Sequence, residues 1–323
     1  MIQVMAKVDA DVFPFPQVVR IEPAAACNLR CSHCPTGTVQ MRRGLMSERA
    51  FTQVLHSIEP YAEAIRVAVL YHGGEPLLNR RFFQMVRLLK SMGIPFVKTV
   101  SNGMLMDDHA CEGIIASGLD AIEFSLDGQN RDENNFIRRR SDYATVVSNI
   151  KRLLDRRRQA HSSRPIVYIA STQFLPDLGT ACKPPDAPLH LVGEFSGEYQ
   201  GLVGFKCAWA MQWPGMVVLP EIYDLTRGPD GCFRNSCDHV ESTITVRWNG
   251  DVVPCCYDLT SMCVLGNIHD ADLTTIWRNS AYRHLRRSIR ELKLIPLCAQ
   301  CNVVRPSVYL TLRSQVARSY QRA

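Results

Sequence analysis

The chain has 323 residues and 13 cysteines, with 46% hydrophobic and 21% charged residues; 37 Lys+Arg against 31 Asp+Glu leave a formal net charge of +6. That balance excludes wholesale disorder and makes nucleic acid a weak candidate partner. No uncharged apolar run approaches the roughly 18 residues of a membrane span, so no membrane association is expected.

The first residues lack a charged start followed by a long apolar core, so a cytoplasmic protein is expected. In that reducing compartment, a dense and odd set of cysteines reads as metal-binding rather than as a disulfide framework. Residues 18–22 are a β-rich run, and 47–62 carry Phe51, Val54, Leu55 and Ile58 at helical spacing. Residues 64–71 read as a buried strand, 80–92 as a helix ending at Gly93, 96–100 as a strand and 107–117 as a helix stopped by Gly118. Strands at 121–126, 166–173 and 201–209, with a long amphipathic helix at 141–159, continue the alternation. Such alternation predicts βαβ units and a parallel sheet. The arginine runs 138–140 and 156–158 read as solvated surface, the second above all.

The pattern then breaks. Residues 176–188 and 213–235 are rich in proline and glycine and are expected to be loops. Residues 243–247 and 252–254 flank Asn249-Gly250, the signal of a hairpin with a type I′ turn. One helix is expected over 273–292, and the basic tail 305–323 reads as a surface helix. The division expected is a barrel over 16–215 and a cysteine-rich module over 232–310.

Cys27, Cys31 and Cys34 form C-x3-C-x2-C directly after the first strand. Three thiolates on one loop can wrap a metal centre, one fewer than a closed tetrahedral site requires. A cluster held by three cysteines leaves one iron open, whereas zinc with His33 as fourth ligand is the structural alternative. Further along stand His72-Gly73-Gly74-Glu75-Pro76, Ser101-Asn102-Gly103, Phe124-Ser125-Leu126-Asp127-Gly128 and Phe136-Ile137-Arg138, each near the C-terminal end of an expected strand, the active-site face of parallel barrels.

These motifs resemble, in order, those of the radical S-adenosylmethionine (SAM) enzymes. The resemblance implies a partial (β/α)6 TIM-like barrel of α/β class, a [4Fe–4S] cluster on Cys27, Cys31 and Cys34, and SAM as cofactor. Gly73 and Gly74 would let backbone approach the methionine amino group, Glu75 would pair with that ammonium, and Arg138 with the methionine carboxylate. Asn102 and Ser125 would meet ribose or carboxylate oxygens, and His33 occupies the place of an aromatic that abuts adenine. The implied chemistry is reductive cleavage of SAM to a 5′-deoxyadenosyl radical that abstracts hydrogen from a substrate carbon, with flavodoxin or ferredoxin as reductant.

Cys237 and Cys255 flank the expected hairpin, and Cys298-x2-Cys301 can complete a four-thiolate set; on spacing alone, structural zinc fits as well as iron–sulfur. In context, 252–258, 265–268, 276–279 and 297–302 resemble the auxiliary-cluster modules of radical SAM enzymes. Ser307 and Thr311 stand where a full SPASM module continues with cysteine, so the resemblance implies the shorter twitch version with one auxiliary [4Fe–4S] cluster. Cys111, Cys182, Cys207, Cys232, Cys256 and Cys263 remain; Cys207, Cys256 and Cys263 are candidate hydrogen donors to a substrate radical. The reaction expected is oxidation of a sugar- or cyclitol-like alcohol of the 2-deoxy-scyllo-inosamine dehydrogenase type. Redox-neutral epimerisation, peptide modification and a zinc-stabilised binding protein are the alternatives.

Overall fold

The computed structural model describes residues 13–175, 183–219, 221–227, 233–305 and 308–313. Six parallel strands form its centre: β1 (Val18–Ile21), β2 (Val67–Leu70), β3 (Phe96–Ser101), β4 (Ala121–Ser125), β5 (Ile166–Gln173) and β6 (Val203–Trp209), paired in sequence order. The helices between them are α1 (Pro35–Thr38), α2 (Glu48–Ile58), α3 (Phe82–Ser91), α4 (Asp108–Ser117), α5 (Arg131–Ile137), α6 (Tyr143–Gln159) and α7 (Leu189–Glu194); α2, α3, α4, α6 and α7 pack on one face of the sheet, while α1 lines the cavity. The expected α/β partial barrel is therefore present, a parallel sheet wound with crossover helices.

Local chemistry explains the helix ends. Ser47, Asp107 and Asp142 accept the amides of Ala50, Ala110 and Thr145 and so cap α2, α4 and α6. Gly118 closes α4 at φ +78°, a left-handed conformation that glycine adopts without steric cost. Strand alternation sorts the two faces of the sheet. Val19 and Ile21, Ala68 and Leu70, Ile122 and Phe124, Val167 and Ile169 point outward and join the helices in one apolar core.

The C-terminal part extends the same sheet. β8 (Thr243–Val246) lies parallel to β1, with Arg20 opposite Thr245, and β9 (Asp251–Val253) and β10 (Gly266–Asn267) follow antiparallel. The order is β10-β9-β8-β1-β2-β3-β4-β5-β6. α8 (Asp238–Glu241), α9 (Leu273–Trp277), α10 (Ser280–Arg290) and α11 (Pro296–Ala299) surround the added strands.

Several local expectations change. The hairpin turn is not type I′: Gly250 has φ +87° while Asn249 is absent from the positive-φ residues, and the Gly250 amide bonds Arg247 O. This is a type I turn followed by a left-handed glycine. The single helix expected over 273–292 is two, because the Asn279 side chain accepts the amide of Tyr282 and starts α10 afresh. The expected loop at 213–235 contains β7 (Tyr223–Arg227), and the tail contains β11 (Val308–Leu312) instead of a helix there. β7 and β11 pair antiparallel, and β11 bonds the ends of β5 and β6 through Leu175 N to Leu310 O and Leu310 N to Ala210 O. Among the described residues no helix is long and apolar enough to cross a membrane.

Candidate functional site

A cavity of about 300 Å3 opens at the C-terminal ends of the six parallel strands. Cys27, Cys31 and Cys34 line it, together with His33, Gly73, Gly74, Glu75, Asn102, Ser125 and Arg138, so every residue expected around the first cysteine loop faces one space. The loop is fixed by backbone. Arg30 N bonds Arg139 O at 3.0 Å, and Ser32 N and Oγ bond Ile137 O at 2.9 and 3.0 Å. On the other side the Glu75 amide bonds Ala26 O at 2.8 Å.

Gly74 has a packing reason besides the one expected. A Cβ there would run into the carbonyl oxygens of Ala24 and Ala26. The glycine lets the second strand's loop seat against the cysteine loop, rather than making room for a ligand alone. Gly73 donates its amide to Glu22 Oε1 at 3.2 Å, and its carbonyl accepts the Thr36 hydroxyl.

Glu75 is fully buried, and its carboxylate ties two strand ends together. Oε1 accepts from Leu77 N at 3.2 Å and Ser101 Oγ at 2.9 Å, and Oε2 from Asn102 N at 2.8 Å. A carboxylate offers about four acceptor directions, so one remains on Oε2. Burial raises its pKa to about 6 despite these hydrogen bonds. Asn102 Nδ2 binds Asn28 Oδ1 at 2.8 Å and approaches Cys27 Sγ at 3.8 Å.

Asp127 organises the opposite wall. Its Oδ2 accepts from Arg138 Nε at 2.7 Å and lies 3.4 Å from His33 Nε2, while Oδ1 accepts the amide of Thr172. Of the first arginine run, Arg139 and Arg140 are exposed as expected, whereas Arg138 turns inward, its side chain 12% exposed and a nitrogen 3.9 Å from Cys31 Sγ. His33 turns Nε2 to Asp127 rather than to the thiols, and burial lowers its pKa to about 4, so the ring is neutral. Its Nδ1 is buried without a partner in the cavity wall. Asp127 stood inside a quoted motif, yet only the fold shows that the cysteine loop, the end of α5 and the backbone of β5 converge on it. Tyr71, Trp209, Trp213 and Tyr257 also line the cavity and carried no sequence signal.

The second set converges as well. Cys237, Cys255, Cys298 and Cys301 are each 7–9% exposed and unoxidised. Burial raises their pKa values, that of Cys298 to about 12, and they are near enough for the charge of Cys301 to act on the other three. Cys256 acts on Cys237, Cys255 and Cys301 and so adjoins the set. Among the described residues no three His, Cys, Asp or Glu converge tightly enough for a single metal ion. A four-iron cluster takes its thiolates at separate corners and suits the wider spread. Buried thiols with no disulfide, beside an orphaned His33 nitrogen and an open Glu75 acceptor, are a donor set that fits iron–sulfur clusters and SAM.

Of the candidate hydrogen donors, Cys207 sits on β6 just before the cavity residue Ala208 but does not line the cavity; it lies near enough to Asp186 to feel its charge. Cys263 binds Asp258 Oδ2 through its amide and lies beside Cys298, away from the cavity. Cys256 precedes the cavity residue Tyr257. Cys111 is buried on α4, and Cys182 and Cys232 lie outside the described residues. The arginines 156–158 lie on α6, where a separate open groove of about 740 Å3 is lined by charges that pair with one another, such as Arg156 with Asp108 and Lys151 with Glu194.

Comparison with known proteins agrees with this geometry. The radical SAM superfamily matches residues 21–169, and SPASM, an iron–sulfur cluster-binding domain, matches 237–302. The chain belongs to the radical SAM superfamily and carries a SPASM domain. Its cofactors are accordingly a [4Fe–4S] cluster with SAM in the barrel and auxiliary iron–sulfur in the SPASM region. The tungsten-containing aldehyde ferredoxin oxidoreductase cofactor-modifying protein of Pyrococcus furiosus is 24% identical over 319 residues, covering 88% of this chain and 86% of the relative. The GTP 3′,8-cyclase of Chlorobaculum tepidum is 32% identical over 142 residues, or 42% of this chain and 40% of that one. Among solved structures, BtrN in complex with AdoMet and 2-DOIA superposes with a TM-score of 0.57 at 14% identity, covering 90% of this chain and 94% of that one. Streptococcus suis SuiB bound to its precursor peptide SuiA gives 0.52 at 15% identity, covering 90% and 70%.

Proposed function

We propose that this radical SAM enzyme dehydrogenates a hydroxyl-bearing carbon of a small sugar- or cyclitol-like molecule, with flavodoxin or ferredoxin as reductant. One observation carries the reading: the wall of a single cavity runs from Cys27, Cys31 and Cys34 to Tyr257, next in sequence to Cys255 and Cys256. A molecule held there lies between the two cysteine sets, as an oxidation needs when one electron must leave after a hydrogen atom has been taken.

When bound, the clusters and SAM supply a radical able to take hydrogen from an unactivated carbon and an acceptor for the second electron. The chain's own residues bind and orient. Cys27, Cys31 and Cys34 would hold the open cluster, and Cys237, Cys255, Cys298 and Cys301 the auxiliary one. Glu75 would take the methionine ammonium on its remaining acceptor, and Arg138 the carboxylate on the terminal nitrogens that Asp127 leaves open. The His33 ring and the Ser125 hydroxyl would meet adenine and ribose. Trp209, Trp213 and Tyr257 would keep water from the reacting carbon.

Anaerobic purification tests the class: about eight irons per chain with sulfide and reductive SAM cleavage are expected, whereas colourless protein with stoichiometric zinc would overturn it. Product mass then separates the chemistry, because loss of two hydrogens marks oxidation, no change marks epimerisation, and a peptide product refutes the small-molecule reading. Replacing Cys298 by alanine should cost product formation at least about a hundredfold, more than it costs SAM cleavage; equal losses would place the auxiliary cluster outside the reaction.

Glu75 gives a pH prediction. Its carboxyl titrates at about 6 in the folded chain, above the usual 4.5. The folded state therefore holds this proton more tightly than the unfolded chain, and stability from this group is lost as the pH rises from about 4.5 to about 6. SAM needs the charged form, so its affinity should fall up to about tenfold per unit below pH 6. Anaerobic equilibrium dialysis between pH 5 and 8 measures this, and Glu75→Gln should flatten the slope.

A further inference from the structure

The inner face of the barrel, one step below the cavity, carries more positive charge than it balances. Tyr71, Val100, Ser125, Thr172 and Ala208 line the cavity on successive strands. Side chains alternate along a strand, so the residues two positions earlier lie on the same face of the sheet. On β3, β4 and β6 these are Lys98, Glu123 and Lys206. On β1, Arg20 lies on this face too, in one row with Val69 and Lys98.

Glu123 serves both lysines through one oxygen, with Lys98 Nζ at 2.9 Å and Lys206 Nζ at 2.7 Å from Oε1. Lys206 also sits 3.9 Å over the Tyr168 ring. Arg20 has no such partner. Among the described residues no carboxylate lies within ion-pair distance of it, its Nε is buried and unbonded, and one terminal nitrogen reaches the Tyr71 carbonyl at 3.3 Å. The guanidinium is near enough for its charge to act on Tyr71, His72, His239 and Cys256. Asp258, in the loop after β9, spends its carboxylate on the amides of Met262 and Cys263. Three cations therefore stand against one carboxylate on this face, and two of them, Arg20 and Lys98, are near enough to act on Cys256.

We propose that Arg20, supported by Lys98 and Lys206, is an anion subsite that binds a carboxylate or phosphate group of the substrate. A half-buried guanidinium without a counter-charge is costly, and its planar fork matches both groups in bidentate geometry. The proposal rests on the reading of this cavity as the substrate site and narrows the substrate to an anionic molecule.

The test needs no turnover. Cluster-loaded full-length protein is titrated anaerobically by calorimetry with inorganic pyrophosphate and, separately, with succinate. Saturable millimolar binding of at least one is expected, and the one that binds distinguishes a phosphorylated from a carboxylated substrate. Arg20→Gln should weaken it at least about tenfold, Arg20→Lys less, and Arg156→Gln on the outer face of α6 not at all. Iron content and circular dichroism report whether each variant folds, and Arg20→Lys carries the comparison if Arg20→Gln fails to load iron. No saturable binding of either anion, or Arg20→Gln binding as the parent does, overturns the proposal; the latter result would make Arg20 a counter-ion of the clusters. Failure of the parent to cleave SAM would instead sink the proposed function, and the titration reads independently of it.

Discussion

Replacing Cys31 by alanine should abolish reductive SAM cleavage, with a loss greater than the roughly 10–100-fold typical of removing a residue that merely supports a metal ligand. Iron should fall from about eight to about four per chain, because the auxiliary set is built from other elements. The geometry makes this a clean deletion. Arg30 and Ser32, on either side of Cys31, are held by backbone bonds to Arg139 and Ile137, so the loop keeps its path when the thiol is removed. Burial raises the Cys31 thiol to about 12, so in the iron-free chain it is protonated, and iron binding must displace that proton. Cys111→Ala, on α4 and outside both sets, should keep the full iron and the full rate of 5′-deoxyadenosine release. If Cys31→Ala kept its iron and its cleavage, the cavity would not be the SAM site.

The strand-end motifs were legible because each depends on a local pattern, an apolar run followed by glycine or a polar turn, and a parallel barrel gathers such ends on one face. The cysteine sets were legible for a related reason, since C-x3-C-x2-C and C-x2-C are short loops and a hairpin brings its two ends together. What escaped were contacts between distant segments. β7 and β11 pair across some 85 residues, and the prolines and glycines around β7 read as loop. The convergence of His33, Arg138 and Thr172 on Asp127 needs the cysteine loop, α5 and β5 in place together. The role of Gly74 needed the neighbouring loop to be in place, and Arg20 looked like an ordinary strand residue until its partners could be counted.

A contact across most of the chain carries the second large effect: Arg247→Leu should destabilise the protein by about 3–5 kcal/mol, seen as a fall in apparent melting temperature of roughly 5–10 °C. Arg247 stands at the hairpin turn, and Glu22 directly follows β1, 225 positions away. Their side chains are 5% and 0% exposed, and Arg247 Nε lies 3.1 Å from Glu22 Oε2. Glu22 also accepts the amides of Trp248 and Gly73, so one carboxylate joins the first strand, the SPASM hairpin and the loop after β2. His72 makes a second link from that loop, Nε2 to Asp258 O at 3.1 Å, and burial lowers its pKa to about 3, so it bonds as a neutral ring. Burial already raises Glu22 above the usual carboxylate value even with Arg247 beside it. Without Arg247 it rises further, the folded chain holds that proton more tightly than the unfolded one, and stability falls as the pH climbs through that range. The deficit of Arg247→Leu should therefore be larger at pH 8 than at pH 5, and Glu22→Gln in the same chain should recover part of it and remove its pH dependence. A deficit indifferent to pH would mean that the arginine acts through packing and its bond to Ser261 rather than through Glu22. A matching loss of SAM affinity, measured on protein with full iron, would show that this carboxylate couples the SPASM hairpin to SAM binding through the Gly73 loop.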